Sequence, residues 1–114
     1  MSDDIFDLKL ACDALNIPKP IYLRILAKAI PQTITDLGDL RAAFQKNDII
    51  TVAAIAHRLK GDYANLRIDV LSVLAKQLNE LTKKDYTCEK ALEIIQEIEK
   101  VFFEVKTFFE NIDA

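Results

Sequence analysis

The stretch Val52-Ala53-Ala54-Ile55-Ala56-His57-Arg58-Leu59-Lys60-Gly61-Asp62-Tyr63-Ala64-Asn65-Leu66 decides how this chain folds. At about 100° per residue, Val52, Ile55, Ala56, Leu59, Tyr63 and Leu66 share one stripe, the face that a helix buries against its neighbours. His57, the only histidine in the chain, projects away from that stripe. Around it on the outer surface lie Ala53, Ala54, Lys60, Gly61 and Ala64. Four of these five are Ala or Gly, where an exposed helical face usually carries long polar side chains. A Gly inside a helix costs about 1 kcal/mol relative to Ala, so something other than helix stability favours the bare surface. Close approach by another protein is the expected reason.

The rest of the composition agrees with helices. Of 114 residues, 51% are hydrophobic and only two are Gly and three Pro, which excludes disorder and a turn-rich β-fold. The length suits one domain, residues 1–114, with a single core. No apolar run approaches the roughly 18 to 20 residues of a membrane helix, and the acidic start Met1-Ser2-Asp3-Asp4 lacks the features of a signal peptide. A cytoplasmic protein, not bound to membrane, is expected. Cys12 and Cys88 stand far apart with no histidine beside either, so both read as core thiols. The net charge of −3 and the scattered Lys and Arg argue against nucleic acid as a partner. Locally, Arg58, Lys60 and Arg67 give the His57 helix a positive cast, offset by Asp62, which suits an acidic partner surface.

Five helices are expected in order. The first spans about Asp3 to Leu15, capped by Ser2 or Asp3, with Ile5, Leu8, Cys12 and Leu15 as its stripe and Asn16 suited to the left-handed position after its end. The second spans about Pro20 to Gln45, with a seam of Leu23, Leu26, Ile30, Ile34, Leu37, Leu40 and Phe44. Its apolar phase continues past Pro31, which predicts a kink and not a break. Asn47 or Asp48 caps the third, and Arg67 leaves that helix's end unmarked by Gly or Pro. Asp69 is the expected cap of the fourth, built on Leu71, Leu74, Ala75, Leu78 and Leu81. Asp85 or Thr87 caps the last, whose seam is Ala91, Ile95, Ile98, Phe102, Val105, Phe109 and Ile112. Phe103 and Phe108 lie off that seam, partly exposed or against the first helix. Four long amphipathic segments joined by short turns predict an all-α fold, an antiparallel up-and-down four-helix bundle with a short additional N-terminal helix.

The chemistry converges on His57. Lys60 at i+3 supplies positive charge on the same surface, and Gly61 at i+4 leaves the imidazole accessible. An exposed histidine with an ordinary pKa of about 6.5 is substantially neutral near pH 7, so a ring nitrogen is available as a nucleophile. A phosphoryl group on that nitrogen would bring about two negative charges, which Lys60 could partly compensate. Glu89, Glu93, Glu97 and Glu104, interleaved with Lys90 and Lys100, read as a solvated face and not a metal site. There is no Gly-rich phosphate loop, no Ser/His/Asp set and no second histidine, so no means of binding ATP or of autonomous kinase activity.

His57-Arg58-Leu59-Lys60-Gly61, followed by Ala64-Asn65-Leu66, resembles the signature of histidine-containing phosphotransfer (HPt) domains, in which His-x-Leu-Lys-Gly precedes Ala-Asn-Leu-Gly. The resemblance is close over the third helix and looser, in the same helix order, over most of the chain. It implies a phosphocarrier of two-component phosphorelays: His57 accepts a phosphoryl group from the aspartyl phosphate of a response-regulator receiver domain, or of a hybrid histidine kinase, and passes it to another receiver. Lys60 then stabilises the phosphoryl group and Gly61 leaves room, while Ala53, Ala54, Arg58, Ala64 and Asn65 meet the partner. No cofactor of its own is implied; Mg²⁺ is expected on the receiver, and the chain acts as a monomer. Asp62, Tyr63 and Arg67 depart from the family pattern. They motivate an alternative, a helical bundle that binds receivers without transferring phosphate. Asp62 is expected to point away from His57, and Tyr63 to pack in the core.

Overall fold

Five helices make up most of residues 7–112, the part of the chain described by the computed structural model. They are α1 (Leu8–Leu15), α2 (Lys19–Gln45), α3 (Ile49–Asn65), α4 (Asp69–Lys83) and α5 (Cys88–Ile112), and the described residues contain no strand. The protein is a helical bundle. α3 packs on α2 and α4, α5 packs on α4 and α2, and α1 packs on α2. No helix among the described residues is long and apolar enough to cross a membrane.

Local chemistry sets the helix ends. The Asp7 carboxylate accepts the Leu10 N–H at 3.0 Å, so α1 begins at Leu8 and not near Asp3; Ser2, Asp3 and Ile5 lie outside the described residues. Asp48 caps α3 through the Thr51 N–H and hydroxyl, and Thr87 caps α5 through the Lys90 N–H. The fourth helix differs from expectation: Ile68 occupies the cap position and Asp69 lies in the first turn, where its charge still favours the helix dipole.

Three helices close in the same way. Asn16, Asn47 and Arg67 take φ of 57°, 58° and 59°, and the following N–H returns to the carbonyl five residues back: Ile17 to Cys12, Asp48 to Ala43, Ile68 to Tyr63. Asn tolerates this left-handed conformation; at Arg67 the β-carbon is crowded. The end of α3 is therefore defined by backbone hydrogen bonding, with an unfavourable residue at the turn.

All six residues of the α3 stripe are buried. On α2, which continues through Pro31 as one helix, the buried face is Tyr22, Leu26, Ile30, Thr33, Asp36, Leu37, Leu40 and Ala43. Ile34, expected in the seam, is 49% exposed. Tyr22 and Thr33 are buried because their hydroxyls find partners on α3 or just past its end: Tyr22 donates to the Leu66 carbonyl at 2.6 Å, and Tyr63 and Thr33 share a hydrogen bond of 2.5 Å, Thr33 itself donating to the Ala29 carbonyl. Burial pushes the Tyr63 hydroxyl up to about 12, against the opposing effect of the Thr33 bond. The ring packs in the core as its position on the stripe predicts.

On α5, Ala91, Ile95, Ile98, Phe102 and Val105 are buried, whereas Phe109 and Ile112 are half-buried near the chain end. Phe103 is 63% exposed, and Phe108 lines a groove with Leu8 and Cys12 of α1. Cys12 is buried, but Cys88 is exposed, contrary to its reading as a core thiol. It is the first residue of α5, off the buried stripe, with Sγ 3.9 Å from Asn47 Oδ1. Glu89, Glu93 and Glu97 are solvent-facing as expected, while Glu104 is half-buried.

Candidate functional site

His57 lies in the middle of α3, exposed, with the six buried stripe residues fixing which way the helix faces. Ala54, Gly61, Ala64 and Asn65 are exposed with it; Lys60 is half-buried at the edge of the same surface. Ala53 is half-buried at the junction with α4. A β-carbon added to Gly61 would meet no atom within 4 Å. The fold therefore gives no internal reason for glycine here, and its helix cost remains unexplained by packing.

Two hydrogen bonds hold the turn that carries His57. Asn79 Nδ2 of α4 donates to the Ala53 carbonyl at 3.0 Å, and Ser72 Oγ donates to the Lys60 carbonyl at 2.9 Å. Their acceptors lie four residues before and three residues after His57. Buried Asn79 thereby satisfies its amide, and α3 is fixed to α4 on both sides of the histidine.

On the other flank, Arg58 Nη2 donates to Asp36 Oδ1 at 2.7 Å, and Gln32 Nε2 donates to the same oxygen at 3.1 Å. The Asp36 side chain is 1% exposed and its second oxygen has no hydrogen-bond partner; Arg58 is 49% exposed. The hydrogen bond to Asp36 raises the Arg58 pKa, burial opposes this, and the charges of Asp36, Asp62 and Asp39 add to it. Arg58 is thus already paired, and the positive cast read from Arg58, Lys60 and Arg67 is smaller than the sequence suggests. Arg67 belongs to the turn beyond the helix. Of the cations on α3, Lys60 forms no ion pair among the described residues.

One residue escaped the sequence reading. Ile50 is 84% exposed, seven residues before His57 and on the same face of α3. An isoleucine off the buried stripe was the available signal. With Ala54 it extends an apolar surface toward the start of the helix.

Two grooves, one lined by Cys12 and Phe108 and one by Ile25, Thr33, Asp62 and Leu66, do not include His57. Asp62 and Asn65 border the second groove, on the α2 side of α3. No group of three or more His, Cys, Asp or Glu among the described residues could hold a metal ion. What the site offers is one open imidazole, one lysine a turn away and a bare surface. Such a site can receive an anionic group, provided a partner brings the remaining catalytic groups.

A family model described as Hpt domain matches residues 24–113, which run from early α2 through α5. No curated protein and no solved structure matches the chain.

Proposed function

Because the chain belongs to the Hpt domain family of two-component phosphorelay signalling, we propose that His57 is its phospho-acceptor, charged by the aspartyl phosphate of a receiver domain and discharged to another receiver. The neutral imidazole attacks phosphorus through the ring nitrogen that bears no proton. An N–P bond forms as the acyl P–O bond breaks, and the bond pair stays with the receiver's aspartate as carboxylate. The other ring nitrogen keeps its proton, so the step needs no base. Transfer onward is the reverse reaction on a second aspartate.

The role of this chain is to orient and compensate. α3 presents the imidazole at a fixed angle, Lys60 offsets charge on the phosphoryl oxygens, and Gly61 lets the receiver approach. Mg²⁺, held by the receiver, would supply the further charge neutralisation that phosphoryl transfer requires. The bundle is read as up-and-down and antiparallel with α1 added, and the protein as a cytoplasmic monomer. The observation that carries the proposal is Gly61: a helix-destabilising residue one turn from the exposed histidine, for which the fold has no use.

Incubation with phosphorylated receivers tests it. The native chain is expected to acquire acid-labile label and His57→Gln none. A chain that binds receivers equally well with either residue and never takes label is instead a receiver-binding module.

A further inference from the structure

We infer that Lys76 of α4 is a second phosphoryl-binding cation, presented to His57 from across the α3–α4 junction. The inference rests on His57 as acceptor and concerns what surrounds it.

The two hydrogen bonds between these helices fix the register. Ser72 reaches the carbonyl of Lys60 and Asn79 reaches that of Ala53, so the pairs run in opposite chain order. Ser72 and Asn79 lie four residues before and three after Lys76; Ala53 and Lys60 lie four before and three after His57. Lys76 and His57 are therefore bracketed by the same two bonds and lie within about one residue, roughly 1.5 Å along the helix axes, of the same level.

Rotation puts them on the same side. In a helix, positions i−4 and i+3 lie about 40° and 60° to one side of residue i. Each bracketed residue is thus displaced from the junction in the same rotational sense about its own helix. Because the two helices run in opposite directions, equal senses turn both residues to one side. That side is solvent, since His57 and Lys76 are exposed, while Ala56 and Ala75, displaced the other way, are 0% and 1% exposed. Two alanines there permit close approach of the helices, toward the lower end of the usual separation of about 8–10 Å. The flexible four-carbon stem of Lys76 and the imidazole of His57, extending from the two sides, together bridge such a junction.

Lys76 is also uncommitted. Among the described residues it makes no hydrogen bond or ion pair, although Glu80 stands one turn further along α4. With Arg58 held by Asp36, the phosphoryl group on His57 would meet one lysine from its own helix and one from the next.

Phosphoramidate, a small donor that needs no docked protein, isolates this effect. Its P–N bond breaks as the His57 N–P bond forms, and the nitrogen of the zwitterionic donor leaves with the bond pair as ammonia. Lys76→Met is expected to slow labelling of His57 about three- to tenfold at low salt, with the difference shrinking as salt rises, and Lys76→Arg to restore it. Unfolding midpoints should stay unchanged. Native-rate labelling of Lys76→Met at low salt overturns the assignment, as does a loss that salt does not diminish. If native His57 takes no label from phosphoramidate or from phosphorylated receivers, the acceptor reading itself fails, and this inference with it.

Discussion

Gly61→Ala should separate stability from function. The added methyl meets nothing within 4 Å inside the protein, and the backbone at Gly61 is helical with φ below zero. Removing the excess backbone freedom of glycine should stabilise the fold by about 0.5–1 kcal/mol. For a chain of this length that raises the melting midpoint by roughly 2–6 °C. The same methyl stands on the surface that a receiver must reach. Overpacking a close contact costs about 1–3 kcal/mol, which weakens docking about five- to 150-fold. Chemical denaturation measures the first effect, and titration with a receiver measures the second. A variant less stable than native refutes the claim that the fold has no use for Gly61. A more stable variant that docks with native affinity refutes the claim that the glycine serves access.

Three further outcomes follow from the geometry. Arg67→Gly should stabilise by about 1 kcal/mol in urea denaturation, because the turn at φ 59° crowds any β-carbon; a loss of stability would show that the Arg67 side chain outweighs the backbone cost. Arg58→Met leaves the buried Asp36 carboxylate with only Gln32 and should destabilise by about 2–4 kcal/mol, most of it recovered in the Asp36→Leu, Arg58→Met double variant; a single-variant loss below about 1 kcal/mol contradicts this. The hydrogen bonds from Thr51 lower the Asp48 pKa below its ordinary 3.8. Since the folded value is the depressed one, the cap contributes fully above the unfolded pKa and is lost as pH falls through the folded one. NMR titration should therefore show the Asp48 carboxylate protonating below 3.8 and the first turn of α3 loosening with it, a step that Asp48→Asn removes; protonation at or above 3.8 contradicts the cap.

What the sequence revealed depended on whether burial follows hydrophobicity. On α3 it does, so the stripe from Val52 to Leu66, the exposure of His57 and the core position of Tyr63 were all legible. On α2 it does not. Thr33 and Asp36 are buried and Ile34 is half-exposed, because Thr33 and Asp36 have partners on α3 that only the folded register brings near. Arg58 was readable as a cation but not as a paired one, for the same reason. Lys76 carries no sequence signal at all; its relation to His57 exists only once Ser72 and Asn79 fix how α4 lies on α3. The helix ends followed local chemistry at Asn16, Asp48 and Thr87, and departed from it at Arg67.

The central claim is tested most directly by locating the phosphoryl group. The native protein, charged by a phosphorylated receiver and kept at alkaline pH, can be mapped by peptide mass spectrometry and by phosphorus NMR. A single phosphoryl group bonded to an imidazole nitrogen of His57 is the predicted result. A phosphoryl group on any other residue, or none while the receiver retains its own, would contradict the account.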